Sequence, residues 1–151
     1  MSHKILSLLI QEVLLNEKKN KKPPGAGIVV VKDFDGEWKV LALSLRGLYD
    51  IPKGIIEPDE DALSAAMRET VEEASISNLD FKWDLDSFKA SQVTVYVAAT
   101  TQDPSVTKNP ETGILEHDSA QWVEWDDMLS KVYGYLKPAV LWAREKVESS
   151  Q

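Results

Sequence analysis

Cysteine is absent from this sequence, which excludes disulfide bridges, thiolate nucleophiles and cysteine-ligated zinc. That absence is compatible with a reducing compartment. No apolar run approaches the roughly 20 residues of a membrane-spanning helix. Positive charge is the minority sign: Lys plus Arg is 17 against 25 for Asp plus Glu, a net of −8. Such a chain repels phosphates at long range and is ill suited to non-specific nucleic-acid or membrane binding. An anionic substrate would need a local reversal of that field, and a divalent cation is the natural means.

What is present fits one folded domain. Of 151 residues, 43% are hydrophobic and five are tryptophan, enough for one real core. The opening "MSHKILSLLIQEVLLNEKKNKK" has an apolar stretch interrupted by Gln11 and Glu12, with no small-residue cleavage site after it. A short docking helix over Ile5 to Leu15 and a cytoplasmic protein are expected. "KKNKKPPG", Lys18 to Gly25, is read as a basic linker, solvated rather than bound to nucleic acid. Residues 1–22 then form an N-terminal helix and linker, and 23–149 the main domain.

Two β-rich runs, Ala26 to Val31 and Trp38 to Leu45, flank Asp35-Gly36, a strong hairpin signal. A helix is predicted to begin near Pro58 and Asp59, with Asp59 as N-cap. Glu60 and Asp61 would lie near its positive end. Leu63, Ala66 or Met67, Thr70 or Val71, and Ala74 give that helix one buried face. Leu79 to Leu85, Gln92 to Ala99 and Ala120 to Trp125 read as strands, with Trp122 and Trp125 expected to share a core face. "TTQDPSVTKNPETG" reads as a polar loop. Pro138 opens a last helix through about Val147. The pattern suggests an α/β or α+β sandwich.

The predicted central helix carries the chemistry. Glu69, Glu72 and Glu73 share a face at 3.6 residues per turn, and Arg68 stands four before Glu72. A helix-stabilising pair explains one Arg–Glu contact but not three acids together, since like charges at that spacing repel. A cation would relieve that repulsion. Carboxylate oxygens suit the hard cations magnesium and manganese, which in phosphoryl chemistry are shared between carboxylates and substrate phosphates.

The segment "GIIEPDEDALSAAMRETVEEASI", residues 54 to 76, resembles the Nudix box, G-x5-E-x7-R-E-U-x-E-E-x-G-U, with U a bulky aliphatic residue. Gly54, Glu60, Arg68, Glu69, Glu72, Glu73 and Ile76 stand at its places. Thr70 and Ser75 depart from it, where an aliphatic residue and a glycine are usual. Ser75 implies slight strain or a different helix exit, and the Thr70 hydroxyl could bond back to the preceding turn. The resemblance implies a Nudix-type α/β/α sandwich, a mixed sheet between helices, that hydrolyses a nucleoside diphosphate linked to another moiety with the help of magnesium. Manganese is a possible substitute. It further implies Glu69, Glu72 and Glu73 as metal ligands, with Glu72 or Glu69 doubling as base. Arg68 would orient a glutamate, Glu60 support it, and Gly54 permit a tight loop.

"YDIPKGIIEPDED" and "LEHDSAQWVEW" are similar to the diadenosine polyphosphate hydrolase branch of that family. By that likeness Lys53 would meet a substrate phosphate. Tyr49 would offer a ring for a base, with ordinary packing as its alternative. Glu116 would serve as a further ligand or base, and His117 as a phosphate contact, with a solvated loop histidine as its alternative. The tyrosine this branch often carries after the box is missing; Val93 and Thr94 lie there, and Tyr96 is nearest. Small nucleotides are the implied substrates, and a monomer or homodimer is expected. Two readings compete with this one. One is a pyrophosphohydrolase acting on an RNA 5′ end, ADP-ribose or nucleoside triphosphates. The other is a non-catalytic nucleotide-binding module.

Overall fold

The computed structural model describes residues 23–150. The helix expected over Ile5 to Leu15 and most of the basic linker lie outside the described residues. Strand β1, Gly25–Phe34, runs into β2, Glu37–Leu45, through Asp35 and Gly36, both at positive φ as the expected two-residue turn requires. Two short strands follow, β3 at Leu48–Asp50 and β4 at Lys53–Ile55. Helix α1 spans Ala62–Ala74. Then come β5, Phe88–Ala90, β6, Val93–Ala99, and β7, Ser119–Val123. Helix α2, Trp125–Lys131, a 3-10 turn at Gly134–Leu136 and helix α3, Lys137–Ser149, complete the described fold.

The sheet runs β3-β2-β1-β6-β5, with β4 also pairing with β1 and β7 with β2. The β1–β6 pairing is parallel and the other strand pairings are antiparallel, so the sheet is mixed. Central strand β1 is buried on both faces, which is why "GIVVV" reads as a continuous apolar run rather than an alternating one. Ile28, Val30, Leu41 and Leu43 face Ala65, Ala66, Ala74 and Ile76 around α1. Val29, Val31, Val40 and Val97 point the other way, onto Met128, Leu136, Val140 and Val147 from α2, the 3-10 turn and α3. This is the expected α/β/α sandwich. Among the described residues no helix is long and apolar enough to cross a membrane.

The structure corrects several local expectations. Asp61, not Asp59, caps α1: its Oδ1 accepts the Ser64 N–H at 2.7 Å. Ala66 and Thr70 are the buried members of their pairs, while Met67 and Val71 are exposed. No strand forms over Leu79 to Leu85. Asp80 alone makes a bridge to Ala99, and Trp83 leaves the ladder to meet Trp38 edge-on at 5.3 Å. An alternating pattern needs two faces to pack against, and side-chain packing supplies them here without a ladder. Trp122 and Trp125 do not share a face. Trp122 packs on the α1 side of the sheet, and Trp125 is buried on the other as the first residue of the unexpected α2. Residues three apart on a strand point oppositely, and the chain has turned helical by the second.

Candidate active site

Helix α1 meets the sheet through Ala65, Ala66 and Ala74, whose small side chains let it lie close to β1 and β4. That packing fixes how its acids are presented. Glu73 turns inward with the core residues, Glu69 lies half-way, and Glu72 faces outward. Arg68 gathers the remaining carboxylates. Its Nε and Nη2 donate to the two oxygens of Glu60 at 2.7 and 2.9 Å, a bidentate clasp. Nη1 donates to Glu69 at 2.9 Å and to Glu72 at 3.2 Å, and Nη2 also reaches the Ile55 carbonyl at 3.0 Å. The clasp and the Glu57 N–H hold the Glu60 carboxyl down at about 2. Glu60 is therefore ionised throughout the neutral range.

Glu73 has the opposite environment. Burial pushes its carboxyl up to about 9, and the charges of Glu69 and Asp50 add to that. The Lys53 N–H, donated to Glu73 Oε1 at 3.0 Å, pulls the other way without prevailing. The other oxygen, Oε2, lies 3.3 Å from His117 Nδ1. Burial also raises Glu69, despite Arg68. Two neighbouring acids whose ionisation burial opposes make a place where a cation would be welcome. Ligand atoms of Glu73, Glu116 and His117 lie within 4.8 Å of one another, close enough to share one ion. Oxygen donors dominate this set and the α1 acids beside it, which fits magnesium or manganese.

These groups line a cleft of about 310 Å³ between α1, β4 and the loop before β7. The loop is tied to the helix end: Ser105 N–H donates to the Ala74 carbonyl and the Thr107 hydroxyl to the Glu72 carbonyl, both at 2.9 Å. Glu116 is exposed on its rim and accepts from Asn109 Nδ2 at 2.7 Å. Gly54 forms part of the wall. A Cβ there would overlap the Glu69 carboxyl, so the box glycine is required by a close approach rather than by its backbone angles.

The sequence-predicted residues are thus largely brought together: Lys53, Gly54, Arg68, Glu69, Glu72, Glu73, Glu116 and His117 all border the cleft, and Glu60 stands behind Arg68. Tyr49 is the exception. Its ring is 6% exposed in the core shared with α2, and its hydroxyl donates to Asp127 at 3.1 Å and accepts from Gln121 at 3.3 Å. It offers no face to a base; packing is its surroundings' reading. His117 is not a solvated loop histidine either. It is 7% exposed, with Nε2 3.4 Å from Asp50 Oδ2 on one side and Glu73 on the other.

Sequence reasoning passed over two residues here. Asp50 is buried and accepts the Lys53 ammonium at 2.9 Å; only its three-residue spacing from Lys53 hinted at it. Tyr135, 41% exposed, stands beside Lys53 and Asp50, and partial burial of its hydroxyl end raises its pKa. It arrives from the 3-10 turn, far along the chain, and nothing local to the box points to it.

A family profile described as the NUDIX domain matches residues 21–145. The chain is 32% identical over 115 residues to the bis(5′-nucleosyl)-tetraphosphatase (asymmetrical) of Caenorhabditis elegans, a match spanning 69% of this chain and 80% of that protein. Its fold superposes on the crystal structure of a C. elegans Ap4A hydrolase binary complex with a TM-score of 0.66 at 23% identity, covering 86% of this chain and 100% of that one. A NUDIX hydrolase from Listeria monocytogenes gives 0.65 at 18% identity, covering 85% and 97%. At those identities the structural matches speak for the fold alone. The profile, however, runs through strands, helix and loop together rather than through the acidic segment only, and on that ground the chain belongs to the Nudix family, as a hydrolase of pyrophosphate bonds.

Proposed function

We propose that this Nudix hydrolase cleaves diadenosine polyphosphates with magnesium, or manganese in its place, held by Glu69, Glu72 and Glu73 of α1 together with Glu116. The observation that carries the metal is the buried Glu73, crowded by Glu69 and within common ligand reach of Glu116 and His117. When bound, the ion screens phosphate charge and lowers the pKa of an attacking water.

The chain's own residues do the rest. The Lys53 ammonium, 22% exposed at the cleft wall, binds a phosphate oxygen. Tyr135 beside it takes the stacking role that Tyr49, being buried, cannot fill. Arg68 keeps Glu69 and Glu72 in place by paired hydrogen bonds. Glu72, the more exposed of the two, accepts the proton as water attacks phosphorus and the anhydride P–O bond breaks. Glu116, exposed on the rim of the same cleft, offers a second carboxylate for the same task. The preference for dinucleoside polyphosphates rests on the 32% identity to the nematode tetraphosphatase and on the ring-plus-ammonium arrangement of Tyr135 and Lys53.

The test is product analysis with magnesium and a panel of diadenosine polyphosphates, ADP-ribose, nucleoside triphosphates and 5′-triphosphorylated RNA, using Glu73→Gln as control. Magnesium-dependent cleavage preferring the diadenosine polyphosphates, and lost in the control, is the expected result. Preference for another member of the panel overturns the substrate, and cleavage unchanged by chelator overturns the metal.

A further inference from the structure

Asp50 belongs to no part of the Nudix box, yet it sits where the cleft's ammonium and imidazole meet. We infer that Asp50 is a positioning residue, which anchors the Lys53 side chain and orients the His117 ring against Glu73. The inference rests on the reading of Lys53 as a phosphate contact and of Glu73 as a working carboxylate.

The hydrogen bonds carry the argument. Asp50 is 5% exposed, and a carboxylate taken out of water is tolerated only when its oxygens are partnered. Both are. Oδ1 accepts the Ile51 N–H at 2.8 Å, a contact that any structural acid at the β3–β4 turn could make. Oδ2 accepts the Lys53 ammonium at 2.9 Å and faces His117 Nε2 at 3.4 Å. Two cleft residues from different parts of the chain, one from β4 and one from the loop before β7, therefore share one oxygen. His117 Nδ1 is thereby aimed at Glu73 Oε2, 3.3 Å away, while Glu73 Oε1 takes the Lys53 N–H. A closed circuit results: Asp50 to Lys53 side chain, Lys53 backbone to Glu73, Glu73 to His117, His117 back to Asp50. The acid that closes it does not itself line the cleft. It acts through the two groups that do.

Asp50→Asn is the discriminating change. Its amide keeps the volume and can still accept from Ile51, but then turns N–H groups toward an ammonium and an imidazole N–H that need an acceptor; flipped, it clashes with the Ile51 N–H instead. A purely structural Asp50 would lose thermal stability in this variant with unaltered kinetics. A positioning Asp50 raises KM through Lys53 and lowers kcat through His117 and Glu73, with kcat/KM falling at least tenfold at saturating magnesium. In a Lys53→Met background, Asp50→Asn should no longer change KM and should still lower kcat. Unaltered kcat and KM in a folded Asp50→Asn protein, or full additivity with Lys53→Met, would overturn the inference.

A second readout needs no turnover, so it separates failure of this inference from failure of the substrate assignment. The chain has two histidines, and the imidazole nitrogen spectrum of the labelled protein is correspondingly simple. With His117→Gln to assign the signals, the wild type should show a hydrogen-bonded Nε2 proton on His117 that disappears in Asp50→Asn, while the backbone amide spectrum is retained. Identical imidazole signals in the two proteins would refute the positioning role, whatever the panel shows.

Discussion

Where Gly54 would carry a methyl group, the Glu69 carboxyl already lies. Gly54→Ala must therefore displace either the loop or the acid, and a shift of the order of 1 Å at a catalytic group costs about a hundredfold in rate. The expected outcome is a folded protein, by circular dichroism and melting, whose kcat/KM is lower by that order. Glu73 makes a complementary case. Glu73→Gln keeps an oxygen to accept the Lys53 N–H and removes a charge the buried site resists. Metal-free Glu73→Gln should melt above metal-free wild type at pH 8, yet bind magnesium about 10–100-fold more weakly, as titration calorimetry would show. Activity and stability are opposed at this one carboxyl.

At the scale of the element, α1 departs from the usual box at two points and the structure accounts for both. Thr70, fully buried, donates its hydroxyl to the Ala66 carbonyl at 2.7 Å, so the polar group is satisfied within the helix. Ser75 ends the helix in the left-handed conformation, φ 58°, ψ 32°, with its N–H on the Val71 carbonyl and the Ile76 N–H directed at Thr70. That is the helix end for which glycine is normally chosen. Ser75→Gly should relieve strain worth about 1 kcal/mol, less what the freer unfolded chain gains. A rise of no more than about 2 °C in Tm, with kcat unchanged, is the expected readout. A fall in Tm would show that the Ser75 side chain stabilises the helix exit by more than the backbone strain costs.

For the whole molecule, the net charge of −8 and the buried Glu73 combine to tie stability to pH and to cations. In the unfolded chain Glu73 ionises near 4.5; in the fold it keeps its proton to about 9. Between those values the native state holds a proton that the unfolded state has lost, so stability falls as pH rises, by up to about 1.4 kcal/mol per unit from this group. Denaturant titrations of metal-free protein at pH 5.5, 7 and 8.5 should show that decline, and Glu73→Gln should flatten it. On the proposed reading, magnesium would bind the ionised form. At pH 8 it should raise the Tm of the wild type by several degrees and leave Glu73→Gln nearly unmoved.

Spacing along one helix was enough to bring Glu69, Glu72 and Glu73 together, because 3.6 residues per turn groups them whatever surrounds them, and the resemblance to the Nudix box supplied the expected roles. The Asp35-Gly36 hairpin and the proline-led α3 were legible for the same reason: each is a local consequence of backbone sterics. Direction within the cleft was not. Glu73 turns inward and Glu72 outward only because α1 packs on β1 and β4 through its alanines. Tyr49 is lost to the core it shares with α2 and the 3-10 turn, and Tyr135 is brought beside Lys53 from far along the chain, a long-range arrangement that no window of sequence encodes. Asp50 became visible only once the loop before β7 carried His117 onto it. Local periodicity decides which residues share an element; burial and charge partners, which set their chemistry, come from contacts between elements distant along the chain.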